Sequence, residues 1–205
     1  MRAQSFIRLF VFFVLVVPFT AFAVYRFYQD KVQNLPMLGG KDHHVEDFHL
    51  IDQQGKIRNS QDWKDHIVIA NFFFTHCLVV CPKMMNNLKT VSDYFQNDDR
   101  IKINSFSVDP SHDSVPQLQK YISQLGIPTT KWDLLTGNKQ EIYKLARNSF
   151  EVVATDGDGG PEDFIHSDKL VLIDMQRRIR GYYDGTDKKE ISQLIKDIKK
   201  LENEN

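Results

Sequence analysis

The spacing of apolar positions changes several times along this chain, and each spacing predicts a different element. From Leu9 to Tyr25 the run LFVFFVLVVPFTAFAVY holds no charge and no polar face at helical spacing, which suits a bilayer better than a protein core. Residues Asp30 to His44 are mixed and polar, with Pro36, Gly39 and Gly40, and read as a tether. Phe48 to Ile51 and Lys56 to Arg58 flank Asp52-Gln53-Gln54-Gly55, the form of a β-hairpin whose turn ends at glycine. Ile67 to Phe73 is a nearly unbroken apolar run, predicting a central strand covered on both faces.

Helical spacing follows. Met84, Met85, Leu88, Val91 and Phe95 share one face of a helix predicted from about Pro82 to Phe95, with proline in its first turn. Ile101 to Val108 predicts a strand. Ser114-Val115-Pro116-Gln117 has the form of a capping box, opening a helix that stops at Gly126. Asn138 with Glu141 opens another helix. Lys169 to Asp174 and Arg178 to Tyr183 read as a strand pair. Asp187 with Glu190 opens a terminal helix carrying Ile191, Leu194, Ile195, Ile198 and Leu201 on one face. This alternation predicts an α/β domain with a mixed sheet flanked by helices, and no repeat competes with it.

The chain has 205 residues, enough for one core plus a terminal appendage. The expected organisation is a signal or membrane anchor over residues 1–28, a linker over 29–44 and one domain over 45–205. Arg2 and Arg8 precede the apolar run, and no acid lies within it. At 17 residues the run is at the short limit for a spanning helix, while Ala21-Phe22-Ala23 also satisfies a signal cleavage pattern. Anchor and cleaved signal both stay open, and in either case the domain is expected outside the cytoplasmic membrane. The formal net charge of −1 and the absence of a basic stripe interleaved with aromatics argue against nucleic acid as a partner.

Export changes the meaning of the two cysteines, because an oxidising compartment lets thiols pair. Cys77 and Cys81 close too short a loop to be a useful staple. They lie where the apolar strand runs out through Phe74-Thr75-His76 and a proline-opened helix begins. At that junction their α-carbons can approach to about 6 Å, close enough for a disulfide or a shared metal. The partial positive charge of a helix N-terminus favours thiolate over thiol, raising nucleophilicity and metal affinity together.

The stretch from Phe72 to Pro82 resembles the Sco/SenC family of thioredoxin-like copper proteins, whose motif is Cys-x-x-x-Cys-Pro after an aromatic-rich strand. The resemblance continues through Ser107-Val108-Asp109-Pro110 with Asp113 and Lys120-Tyr121, then Trp132 to Gly137, then Asp163-Phe164-Ile165-His166-Ser167, and covers roughly Val45 to Leu201. It implies a thioredoxin-like fold and one copper ion held by Cys77, Cys81 and His166. It also implies delivery to the copper-containing subunit of a terminal cytochrome c oxidase, the domain facing the periplasm from a membrane anchor. Leu78 stands where the family commonly has proline, and Val79 where an acid is frequent; neither change removes a ligand. Two thiolates and an imidazole suit Cu(I), and hold Cu(II) with an added weak donor. Oxidation of the cysteine pair removes two ligands at once, so loading requires a reductant or a reducing thioredoxin-like partner.

The rival reading is a thiol–disulfide oxidoreductase with Cys77 as attacking thiolate and Cys81 as resolving thiol. Such enzymes usually have two residues between the cysteines and a proline immediately before the strand that here begins near Leu170, and they need no His166; this chain lacks the first two features and has the histidine. A thiol peroxidase would need an arginine near one cysteine, and none lies close in sequence. His43, His44, His49, His66 and His112 have no second ligand at helical or strand spacing and read as surface residues. His76, beside Cys77 on an extended segment, is expected to point away from it. Asp156 to Gly160 has glycine at the fifth loop position and no glutamate at the twelfth, so it reads as a mobile acidic loop and not as a calcium site.

Overall fold

A computed structural model of the chain describes residues 8, 10–40, 42–127, 129–152 and 167–204. A π-helical turn, Phe12–Val16, leads into helix α1, Val17–Gln33. The large apolar side chains from Phe10 to Tyr25 are exposed. Among the described residues no helix is long and apolar enough to cross a membrane.

The seven strands are β1 (His49–Asp52), β2 (Ile57–Asn59), β3 (Ile67–Phe73), β4 (Ile101–Ser107), β5 (Trp132–Thr136), β6 (Lys169–Ile173) and β7 (Ile179–Asp184). They form one sheet in the order β2-β1-β5-β4-β3-β6-β7. Strands β3, β4 and β5 are parallel, while β1, β2, β6 and β7 join in antiparallel fashion, so the sheet is mixed as expected. The hairpin of β1 and β2 turns at Gly55, whose φ of 77° is the left-handed conformation that only glycine adopts without strain. The strand expected to be central, β3, is interior and buried at every residue, although β4 is the middle strand of the seven.

Burial on both sides explains the nearly unbroken apolar run. Ile67, Ile69 and Phe73 of β3 face helices α2 (Val80–Tyr94), α3 (Val115–Leu125) and α5 (Lys188–Glu204), while Val68, Ala70 and Phe72 pack with Phe106, Tyr143 and Phe150 on the other face. The second face is covered by the short helix α4 (Lys139–Lys144) and the π-turn Leu145–Ser149 that continues it. Asn138 caps α4 by accepting the Glu141 amide at 3.2 Å. Gly126 ends α3 in the left-handed conformation. The capping box expected at Ser114 does not form: Ser114 is the N-cap but its hydroxyl accepts no amide, and the Gln117 side chain donates instead to the Thr75 hydroxyl at 3.1 Å.

The far edge of the sheet is tied down by charge. Arg180 of β7 is buried, donating to Asp174 at 3.0 Å and to Glu204 at the end of α5, as well as to the carbonyls of Leu35 and Pro36. Leu38 and Val45 donate backbone N–H groups to the carbonyls of Ile179 and Arg177, so both lie along the outer edge formed by the start of β7 and the turn before it. Removing the guanidinium leaves two carboxylates and two carbonyls without their shared donor. Arg180→Ala is expected to lower stability by about 3 kcal/mol, against about 1 kcal/mol or less for the half-exposed Arg178→Ala, read from urea unfolding midpoints.

Candidate metal centre

Parallel strands send their carboxyl ends to the same side, and the loops that leave those ends form the crevice in which α/β sheets place their sites. The register pairs Phe73 with Ser107, so the loop after β3 and the loop after β4 start side by side. The first loop is Phe74 to Val79. The second runs from Val108 to Ser114.

A buried carboxylate knots them together. Asp113 is wholly buried; its Oδ2 accepts the Thr75 amide at 3.1 Å and the Ser107 hydroxyl at 2.6 Å, and its Oδ1 accepts the Thr75 hydroxyl at 2.6 Å. This knot fixes where the cysteine loop leaves β3. Nothing in the local pattern points to this task for Asp113, because Thr75, the partner that joins the two loops, lies 38 positions away in the chain.

Helix α2 starts at Val80, two residues earlier than the expected Pro82, because the chain already turns helically at Cys81 and proline is tolerated within a first turn. Its N-cap, Val79, has no side chain able to accept an amide. The sulfur of Cys77 fills that role, accepting the Cys81 N–H at 3.3 Å. Burial pushes the Cys77 thiol up, but the N–H groups of Cys81, Val79 and Val80, together with the Cys81 thiol, outweigh it and hold its pKa below the ordinary thiol value. Cys81 is buried, and desolvation with the neighbouring Cys77 and Asp113 pushes its pKa up to about 12 despite a bond from the Phe74 backbone. The two cysteines are brought together as free thiols of opposite character.

They open onto a cleft of about 600 Å³ lined by Phe72, Phe74, Cys77, Leu78, Val79 and Cys81, with Val108, Val152, Ser167 and Lys169 opposite. Leu78 and Val79 are 90% and 77% exposed, so the loop offers apolar surface around the sulfur. His166 lies outside the described residues, as do Asp163 to Ile165 and the acidic loop Asp156 to Gly160. Val152 and Ser167, which bracket that segment, both line the cysteine cleft.

His76 does not simply turn away into solvent. Its ring packs 4.7 Å from the Phe74 ring and 4.7 Å from the His112 ring, lies 3.8 Å from Asp109, and lines the same cleft as Cys77. His112 likewise has partners, its neighbour Asp113 at 3.0 Å and, across the fold, the Thr75 hydroxyl at 3.4 Å.

The family model described as SCO1/SenC matches residues 37–203. The chain belongs to the SCO1/SenC family. An SCO2-like protein of Rickettsia prowazekii is 32% identical over 178 residues, covering 84% of this chain and 80% of that protein. The solved structure of BsSco, described as a Sco family cytochrome c oxidase assembly protein with a disulfide switch, aligns with a TM-score of 0.71 at 27% identity, over 84% of this chain and 99% of that one. Arabidopsis thaliana ScoI, solved with copper bound, aligns with a TM-score of 0.61 at 26% identity, over 76% of this chain and 98% of that one. The mixed α/β sheet is thus the thioredoxin-like fold of the Sco proteins.

The contrast between the two sulfurs sets their reactivity. In the reduced chain near neutral pH, iodoacetamide is expected to alkylate Cys77 first, with Cys81 slower by at least about a hundredfold, as read by peptide mass spectrometry over time. Equal rates would contradict the assigned environments.

Proposed function

We propose that this SCO1/SenC protein is a copper chaperone that carries one copper ion between Cys77, Cys81 and His166 and delivers it to the copper centre of a terminal cytochrome c oxidase. The observation that carries this reading is the pair of free sulfurs at the first turn of α2, one holding an amide and the other buried against it, facing an open cleft. Thiolates are soft donors, and two of them with an imidazole match Cu(I), with Cu(II) accommodated by a further weak donor. The copper bound by Arabidopsis thaliana ScoI and the membership of BsSco in a family of cytochrome c oxidase assembly proteins support the cargo and the recipient. His166 is the third ligand in this account, and the presence of its neighbour Ser167 in the cysteine cleft supports its reach.

The chain's own residues do most of the work. The α2 amides stabilise negative charge on Cys77, so the first sulfur is ready for a cation without a base. Cys81 must lose its proton as metal binds, and the cation supplies the compensation that burial denies it. Exposed Leu78 and Val79 rim the cargo where a recipient surface would dock. The apolar run from Leu9 to Tyr25, with exposed apolar side chains in the helical segment, supports a membrane anchor over residues 1–28, a linker over 29–44 and a periplasm-facing domain over 45–205. Cleavage after Ala23 is the alternative processing, giving a soluble periplasmic domain.

The unequal thiols also favour a second activity. Cys77 thiolate attacks a disulfide of a partner, the mixed disulfide is resolved by Cys81, and the partner leaves with two thiols while Cys77 and Cys81 become a disulfide. A thioredoxin-like reductant then restores the pair, and the same reduction is what copper loading requires.

The reduced full chain is expected to take one Cu(I) in competition with a chromophoric chelator. Cys81→Ser and His166→Ala each weaken binding on the order of a hundredfold or more, and oxidising the pair to the disulfide abolishes it. Undiminished binding by both variants refutes the chaperone reading.

A further inference from the structure

Beside the cysteine loop lies a second set of donors that contains no sulfur. Among the described residues, His76, Asp109 and His112 each bring one ligand atom within 4.8 Å of the others. None of the three is deeply buried: the side chains of His76, Asp109 and His112 are 48%, 20% and 50% exposed. The contact between His76 Nδ1 and Asp109 Oδ2, at 3.8 Å, is too long for a hydrogen bond. The two imidazoles meet edge to face with their ring centroids 4.7 Å apart.

His112 is also oriented from behind. Its Nδ1 sits 3.0 Å from Oδ1 of the wholly buried Asp113 and 3.4 Å from the Thr75 hydroxyl. A ring nitrogen held against a carboxylate fixes the orientation of the imidazole, the outer-shell support that metal-binding histidines commonly have. Asp113 is itself held through both oxygens, by Thr75 and Ser107. Asp109 is held in turn through its amide, which donates to Ser107 Oγ at 3.2 Å.

From this geometry we propose that His76, Asp109 and His112 form a second, sulfur-free cation site for a borderline divalent ion, Zn(II) or Cu(II). Two imidazole nitrogens and a carboxylate oxygen suit those ions better than Cu(I), Ca(II) or Mg(II). Bringing the donors from their present separation to metal bonds of about 2.0–2.2 Å takes small rotations of exposed side chains. Because none of the donors is a thiol, the site holds its ion whether Cys77 and Cys81 are reduced or joined. His76 lines the cysteine cleft, so the ion sits at the mouth of the dithiol site and not on a remote surface.

The test separates this site from the proposed copper ligands. The full chain carrying Cys77→Ser, Cys81→Ser and His166→Ala is titrated calorimetrically with Zn(II), and with Cu(II) followed by electron paramagnetic resonance. It is expected to retain one ion, with nitrogen couplings from two imidazoles in the Cu(II) spectrum. Adding His76→Gln and His112→Gln weakens Zn(II) binding at least about tenfold and removes those couplings, and Asp109→Asn alone gives a smaller loss. Circular dichroism melts confirm that the exposed substitutions leave the fold intact. No ion retained by the triple variant, or equal affinity after the histidine substitutions, overturns the site; neither result bears on Cu(I) binding by the cysteines.

Discussion

The chemistry of this molecule hangs on a helix that begins without an ordinary cap. Val79 offers no side-chain acceptor to the first turn of α2, and the Cys77 sulfur takes the Cys81 amide in its place. One contact therefore does two things: it satisfies a backbone donor and it stabilises charge on a nucleophilic atom. Because the donor belongs to Cys81, the same bond brings the second sulfur to the first. The spacing of three intervening residues, Leu78, Val79 and Val80, lets the chain leave the strand, turn, and return an amide to the earlier sulfur.

That contact holds its place only because both ends of the loop are fixed. On one side β3 is buried on both faces and hydrogen-bonded to a strand on each edge. On the other, α2 packs Met84, Met85, Leu88 and Val91 into the core. Asp113 fastens the intervening loop at Thr75, leaving Leu78 and Val79 exposed beside Cys77. A rigid frame with one exposed, apolar, sulfur-bearing loop suits a protein that must grip an ion firmly and then present it to another surface.

Much of this was readable in the chain because the relevant signals are local. A strand sandwiched between helices is apolar at nearly every position, Asn71 being the exception in β3, so the limits of Ile67–Phe73 coincide with its hydrophobic run. The cysteines announced themselves through their spacing and the adjoining proline. Signals that depend on tertiary pairing were not readable. The expected capping box at Ser114 fails because Gln117 finds a better use at Thr75, a residue 42 positions earlier. His112 reads as an ordinary surface residue until the parallel register of β3 and β4 brings its loop against that of His76. His166 is recognisable only through family resemblance, since a lone histidine carries no pattern of its own.

The most direct test of the central claim is X-ray absorption at the copper edge of the reduced chain loaded with one equivalent of Cu(I). The account predicts a first shell of two sulfurs and one nitrogen. A shell of nitrogen and oxygen alone would contradict it, because the sulfur pair at the mouth of α2 would then have no part in holding the metal.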